Sequence, residues 1–410
     1  MGKLHQQWLR ISIINLLIVS FVGVILRYKI TFALPFIDQK HLLHGHSHFA
    51  FAGWINQTIM VLMLIAISNQ QENTLLKKYK VLIYINLLTA YGMLISFAIS
   101  GYALFSISFS TLSIINSYVF GIFIWKELNK LNKKLTSYWW YKAAILFNLI
   151  SSMGAFTLSF LMASSSVNQN YYLLAAYAFL HFQYNGWFFF ACMGLLIAQI
   201  EKIGTVDKKL KAIFWLFSIA CIPAYYLSAI WLSIPLMGYL IIVLAATAQC
   251  IGWGILLVII YKNHVQFLRL FHKKGRWLIY LSGIALSIKL ILQLLSTIPS
   301  LSQLAFGFRP VVIGYLHLML LGVISLFLLG YIFANQLIKI GYYTKMGNIV
   351  FIIGIIVNQI LLLAQGASAM NYISIPFINE GLFIVALIMF IGLFLINIKN
   401  KINHIPIHNK

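Results

Sequence analysis

The stretch HGHSHFAFAGW, residues 44–54, sets three histidines at the head of a long apolar run and closes on a glycine and a tryptophan. Its core, His-x-x-x-x-Gly, occurs three times: His48 to Gly53, His181 to Gly186 and His317 to Gly322, at intervals of 133 and 136 residues. The first two copies extend to His-Phe-x-x-x-Gly-Trp and end in Trp54 and Trp187. In a chain of 410 residues this is a threefold repeat centred on a membrane-buried imidazole. Such a pattern is expected when equivalent helices assemble a metal or heme site.

Composition sets the class. Hydrophobic residues make up 62% of the chain and charged ones 9%, with a mean hydropathy of +0.92, whereas soluble domains carry about 25% charged residues. The chain therefore reads as an all-α polytopic membrane protein. Runs able to cross roughly 30 Å of hydrocarbon fall at about 11–32, 46–68, 81–101, 104–125, 139–163, 172–200, 212–234, 237–261, 277–299, 311–334, 347–368 and 381–398. These predict twelve transmembrane helices. The first is too long, and too charged at its far end, for a cleaved signal peptide. No connection is long enough for a soluble domain, so a single membrane domain is expected, built of repeat-like thirds at about 1–137, 138–275 and 276–410.

The basic residues orient the helices. Of the 29 Lys and Arg, 24 fall at the two termini and in every second loop, which the positive-inside rule assigns to the cytoplasm. Arg27, Lys29, Lys40 and Arg309 lie on the other side, and Lys289 lies within helix nine. Both termini are thus expected inside, in a bacterial-type inner (cytoplasmic) membrane. The net charge of +23 is explained by inner loops lying against anionic lipid and calls for no nucleic acid.

The repeat histidines fall on helices two, six and ten, a period of four that suggests three pseudo-equivalent four-helix arcs. Counting from each to the first polar residue at the inner end, Asn69, Glu201 and Asn335, gives 21, 20 and 18 residues, or roughly 32, 30 and 27 Å. The three rings therefore share a layer near the outer face. Imidazole is a good donor to iron and copper, and the glycine five residues on lets a flat macrocycle or a neighbouring helix approach. The plainer alternative is that His and Gly serve packing alone. At the mouth of helix two stand His41, His44, His46 and His48. One is read as a ligand and another as a cap for a propionate or a holder of a second metal. His44 and His48 share a face, while His46 points elsewhere. His48 occupies the repeat position, His44 and His46 remain alternatives, and His41 is interfacial.

These features resemble subunit I of the heme-copper oxidase superfamily, a twelve-helix pseudo-threefold fold with histidine ligands on helices two, six, seven and ten. The resemblance covers the whole chain in architecture and few residues in sequence. It implies His48 as an axial ligand of a low-spin, b-type heme, His317 as a heme ligand from helix ten, and His181 as a copper ligand. The departures are specific. Helix seven has no histidine and offers Tyr225 and Tyr226, helix ten reads His317-Leu318-Met319, and Gln183, Tyr184 and Asn185 follow His181. Met319 offers a thioether to iron but is more naturally packing.

A weaker resemblance, to twelve-helix heme-copper membrane proteins of the nitric oxide response, implies handling of a diatomic gas. The expected activity is electron transfer, to oxygen or nitric oxide as acceptor, with membrane quinol or a redox protein as donor. No CxxCH is present, and Cys192, Cys221 and Cys250 read as core filler. The six acidic residues lie in loops or at helix ends, which argues against proton pumping and leaves Lys289 as the intramembrane charge. A non-enzymatic heme or metal protein (gas sensor or assembly factor) and a transporter are the other readings.

Overall fold

The computed structural model describes residues 3–68, 74–131, 135–164, 168–204, 207–232, 234–301 and 308–398. Asn69, Glu72 and the tail from Lys399 to Lys410, with His404 and His408, lie outside them. Every regular element among the described residues is helical, as a lipid-embedded chain requires, because each backbone N–H and C=O must find its partner within the segment.

The long helices are α1 (Lys3–Thr31), α2 (Gln39–Ile67), α3 (Lys80–Ser100), α4 (Leu104–Asn129), α5 (Thr136–Ala163), α6 (Gln169–Ile203), α7 (Asp207–Cys221), α8 (Leu236–Lys262), α9 (Lys273–Leu295), α10 (Arg309–Ala334), α11 (Tyr342–Met370) and α12 (Ile378–Asn397). Eleven of them are long and apolar enough to cross a membrane, which makes this a multi-pass membrane protein. The remaining one is α7. It stops at Cys221, and a 3₁₀ segment from Pro223 to Ala229 continues it at an angle of 42°. Pro223 has no N–H to donate and its ring crowds the preceding turn, so the apolar run expected as one helix is broken there. Counted as one bent span, α7 brings the total to twelve.

Neighbours in sequence pack side by side, and α12 returns to pack on α1. The His-bearing helices sit inside: 78% of the most apolar stretch of α2 and of α6 is buried, against 22% in α4. Helix α2 begins seven residues earlier than its apolar run, because Asp38 caps it by accepting from the His41 amide at 2.8 Å. That bond holds the fully exposed Asp38 carboxyl below the usual carboxylate range. The cap brings His41 and His44 onto the helix.

Acidic side chains tie helix ends together. Glu127 of α4 pairs with Lys78 at 2.7 Å and Lys130 at 3.2 Å and accepts from Tyr79 at 2.6 Å. Glu201 accepts from the Thr136 and Ser137 amides at 2.5 and 3.2 Å, which places a carboxylate on the positive end of α5.

Candidate functional site: the histidine layer

The repeat has a backbone signature. Each of the three helices changes from α to π winding around its repeat histidine, over Ala50–Asn56, Phe182–Phe188 and Leu318–Ser325. A π segment widens the turn and leaves carbonyls without their usual i+4 donors, and such segments concentrate at functional sites. Polar side chains on the flanking helices meet the carbonyls in and around these segments. Asn15 of α1 donates to Gly53 O at 2.6 Å and Asn86 of α3 to Ala52 O at 3.0 Å. Ser151 of α5 donates to Phe179 O at 2.8 Å, and Ser282 of α9 to Val323 O at 2.7 Å. Gln359 of α11 donates to Gly314 O at 3.1 Å and accepts from the Leu318 amide at 2.9 Å.

The three π segments also lock to one another in cyclic order. Trp54, six residues after His48, donates to Ser325, eight after His317, at 2.8 Å. Trp187, six after His181, donates to Asn56, eight after His48, at 2.9 Å. The third relation would join Val323, six after His317, to Phe189, eight after His181. There the indole is missing, and both residues line a cavity of about 460 Å³. Val323→Trp is therefore expected to stabilise the protein in detergent by about 1–2 kcal/mol, the order of filling a void in a packed core. Thermal unfolding measures this, and a lower midpoint would show that the void lacks the shape of an indole.

The glycines serve helix contact. A Cβ on Gly186 would lie 2.6 Å from Phe147 Cβ of α5, one on Gly322 3.2 Å from Ala285 Cβ of α9, and one on Gly53 2.6 Å from the Phe49 ring. Gly186 and Gly322 thus admit a neighbouring helix, and Gly53 the Phe49 ring of its own helix. Met319 is fully buried in the core.

The histidines divide into three settings. His181 is enclosed: its Nε2 lies 2.9 Å from Cys221 O and its Nδ1 3.2 Å from Asn185 Nδ2. The Cys221 carbonyl is freed by the break before Pro223, so His181, as placed, holds a broken helix end and has both ring nitrogens engaged. His317 of α10 differs. Its Nδ1 donates to Ile313 O at 2.8 Å, which fixes the tautomer and leaves the Nε2 lone pair free. On α2, His46 is the neighbour of His317, and Arg27 of α1 lies near enough to act electrostatically on both. The His46 ring rests over Gly23 of α1, whose absent Cβ would lie 3.4 Å from Cε1, and its Nδ1 is buried without a partner. His48 points to another side and stacks on Phe97 at 4.3 Å, with His44 beside it. Of these, His46 and not the repeat residue His48 lies within electrostatic range of His317.

Two arginines complete this end of the bundle. Arg309, at the start of α10, acts on Arg27, and neither forms an ion pair with a carboxylate among the described residues. Two guanidinium groups within electrostatic range of each other favour an anion nearby. Sequence reasoning had noted both only as basic residues on the expected outer side.

No protein-family model matches the chain, and no curated protein matches it in sequence.

Among the described residues no three His, Cys, Asp or Glu side chains are grouped to hold a metal ion. Lys289, 4% exposed, donates to Gln293 Oε1 at 2.5 Å, and Gln293 donates to Gln249 Oε1 of α8 at 2.7 Å. The intramembrane charge is thus held in an amide chain between α8 and α9.

Proposed function

We propose that this chain is a divergent relative of heme-copper oxidase subunit I that carries electrons through a b-type heme held by His46 and His317 between α2 and α10. The observation that carries the reading is the His317 arrangement. A metal-binding imidazole characteristically donates its second nitrogen to a carbonyl, which orients the ring and raises its basicity, and His317 makes that bond to Ile313, with His46 within electrostatic range. The donor set suits iron, Gly23 leaves His46 room on its α1 side, and Arg27 with Arg309 supplies cations for the carboxylates of the group. When bound, the group supplies a one-electron couple. The chain would contribute two imidazole nitrogens, a low-dielectric surround and a positive field that favours the reduced form.

If His46 and His317 both hold the group, the function would be electron carriage rather than reaction with oxygen or nitric oxide. The electrons would come from membrane quinol or a redox protein, in a bacterial-type inner membrane. Copper at His181 is not part of the proposal, since its nitrogens are occupied.

A reduced-minus-oxidised optical spectrum of the purified protein, with pyridine hemochrome quantitation, tests this. Sharp low-spin bands at one heme per chain, unshifted by carbon monoxide, are expected. A colourless protein overturns the heme reading. A carbon monoxide shift overturns the two-histidine assignment.

A further inference from the structure

The other face of the α2 mouth carries a second constellation that the heme reading does not use. His44 and His48 stand four residues apart, on one side of a helix, where side chains meet. Phe97 of α3 and Tyr102, in the turn between α3 and α4, complete a box around them. His48 lies flat on Phe97, with 4.3 Å between centroids and 8° between planes, and His44 meets Tyr102 edge-on at 4.7 Å. Tyr102 also approaches His48 at 6.4 Å and Phe97 at 5.0 Å.

Packing fixes the box in place. Gly101 has φ of +61°, and a Cβ there would lie 2.5 Å from the His41 ring, so only glycine lets the turn close over α2 and bring Tyr102 to His44. Phe97 is fully buried, so His48 stacks on an immobile surface. Yet neither ring nitrogen of His44 nor of His48 has a hydrogen-bond partner among the described residues, and His44 Nε2 is buried in that state. An imidazole nitrogen withdrawn from water without a partner is costly. His44 Nε2 is such a nitrogen, and with the unbonded His48 ring on the same helix face and the Tyr102 ring beside both the box offers two imidazoles and a phenol as donors.

We propose that His44 and His48, with the Tyr102 phenol or a water as third donor, form a binding site for a borderline divalent transition metal, Cu²⁺ first by the order of affinities. The site is distinct from the His46 and His317 pair, since His46 faces α1 and α10 while His44 and His48 face α3.

The test is Cu²⁺ titration of the purified full-length protein, previously treated with chelator, read by equilibrium binding and by electron paramagnetic resonance. One Cu²⁺ per chain with hyperfine coupling to two nitrogens is expected. His44→Ala and His48→Phe should each weaken binding about 100-fold or more, at least as much as loss of an outer-shell partner of a metal ligand. His48→Phe keeps an aromatic ring against Phe97, so a folded, monodisperse variant that no longer binds isolates the lone pair from the packing. His46→Ala should bind Cu²⁺ like the unsubstituted protein whatever happens to its heme, which separates this proposal from the previous one. Equal affinity in His44→Ala and the unsubstituted protein, absence of a stoichiometric site, or loss of Cu²⁺ binding in His46→Ala each overturns it.

Discussion

Purified His317→Ala protein is expected to contain no low-spin heme, and His46→Ala the same, whereas His44→Ala and His48→Phe retain one heme per chain. The asymmetry follows from where the rings point. His46 of α2 and His317 of α10 lie within electrostatic range of one another and of Arg27, and under the proposal removal of either would take away one of the two nitrogens that hold the heme. His48 is turned onto Phe97, so His48→Phe keeps the ring stacking and removes no heme ligand. His317→Ala also frees the Ile313 carbonyl that the ring nitrogen engages, a smaller effect. Pyridine hemochrome assay per mole of chain, on material shown to be monodisperse, reads the outcome. Full heme in both His46→Ala and His317→Ala would remove the axial pair. Loss in His48→Phe with retention in His46→Ala would move the ligand to the repeat position.

That contrast shows where sequence reasoning reaches and where it stops. The apolar runs located the eleven spans, and the twelfth only as a bent pair of segments, because crossing lipid demands a length and polarity that few sequences fake. The three histidines were found from their spacing alone. The choice among His44, His46 and His48 was not open to spacing. Adjacent positions on a helix differ by about 100°, and which direction faces α10 depends on how α1, α3 and α10 surround α2. The π segments were equally hidden, since a π turn has no composition of its own. Their stabilising partners were visible in hindsight. Asn15, Asn86, Ser151, Ser282 and Gln359 are isolated polar residues in apolar helices, and each marks a carbonyl that needs a donor. Pro223 likewise announced the break in α7, and His181 was readable as a ligand only while the freed Cys221 carbonyl was out of sight.

The π segment of α2 leads to the second large effect. Asn86→Ala is expected to destabilise the protein by about 2–4 kcal/mol, given about 1–3 kcal/mol for each buried group left unpaired. Asn86 is fully buried. It accepts from Asn56 Nδ2 at 2.8 Å and donates to Gln57 Oε1 at 2.7 Å and to Ala52 O at 3.0 Å. Alanine leaves Gln57 Oε1 unpaired and removes one bond each from Ala52 O, which keeps the Gln57 amide, and from Asn56 Nδ2, which keeps Met60 Sδ at 3.6 Å, while Gln57 Nε2 already lacks a partner. Single hydrogen bonds between membrane helices average only about 0.6 kcal/mol, so the low end of the range applies if the neighbours repair the network. Repair is hampered because Asn56 Oδ1 is committed to Trp187 of α6. Ser110→Ala of α4, which removes only a bond to the Ser106 carbonyl of its own helix, should cost under about 1 kcal/mol and serves as the comparison. Unfolding in a graded detergent series measures both, and the heme content of Asn86→Ala should fall with its stability, since the network fixes the stretch of α2 that follows His46. If Asn86→Ala unfolds together with Ser110→Ala, the π winding is maintained by backbone and core packing rather than by the amide of α3.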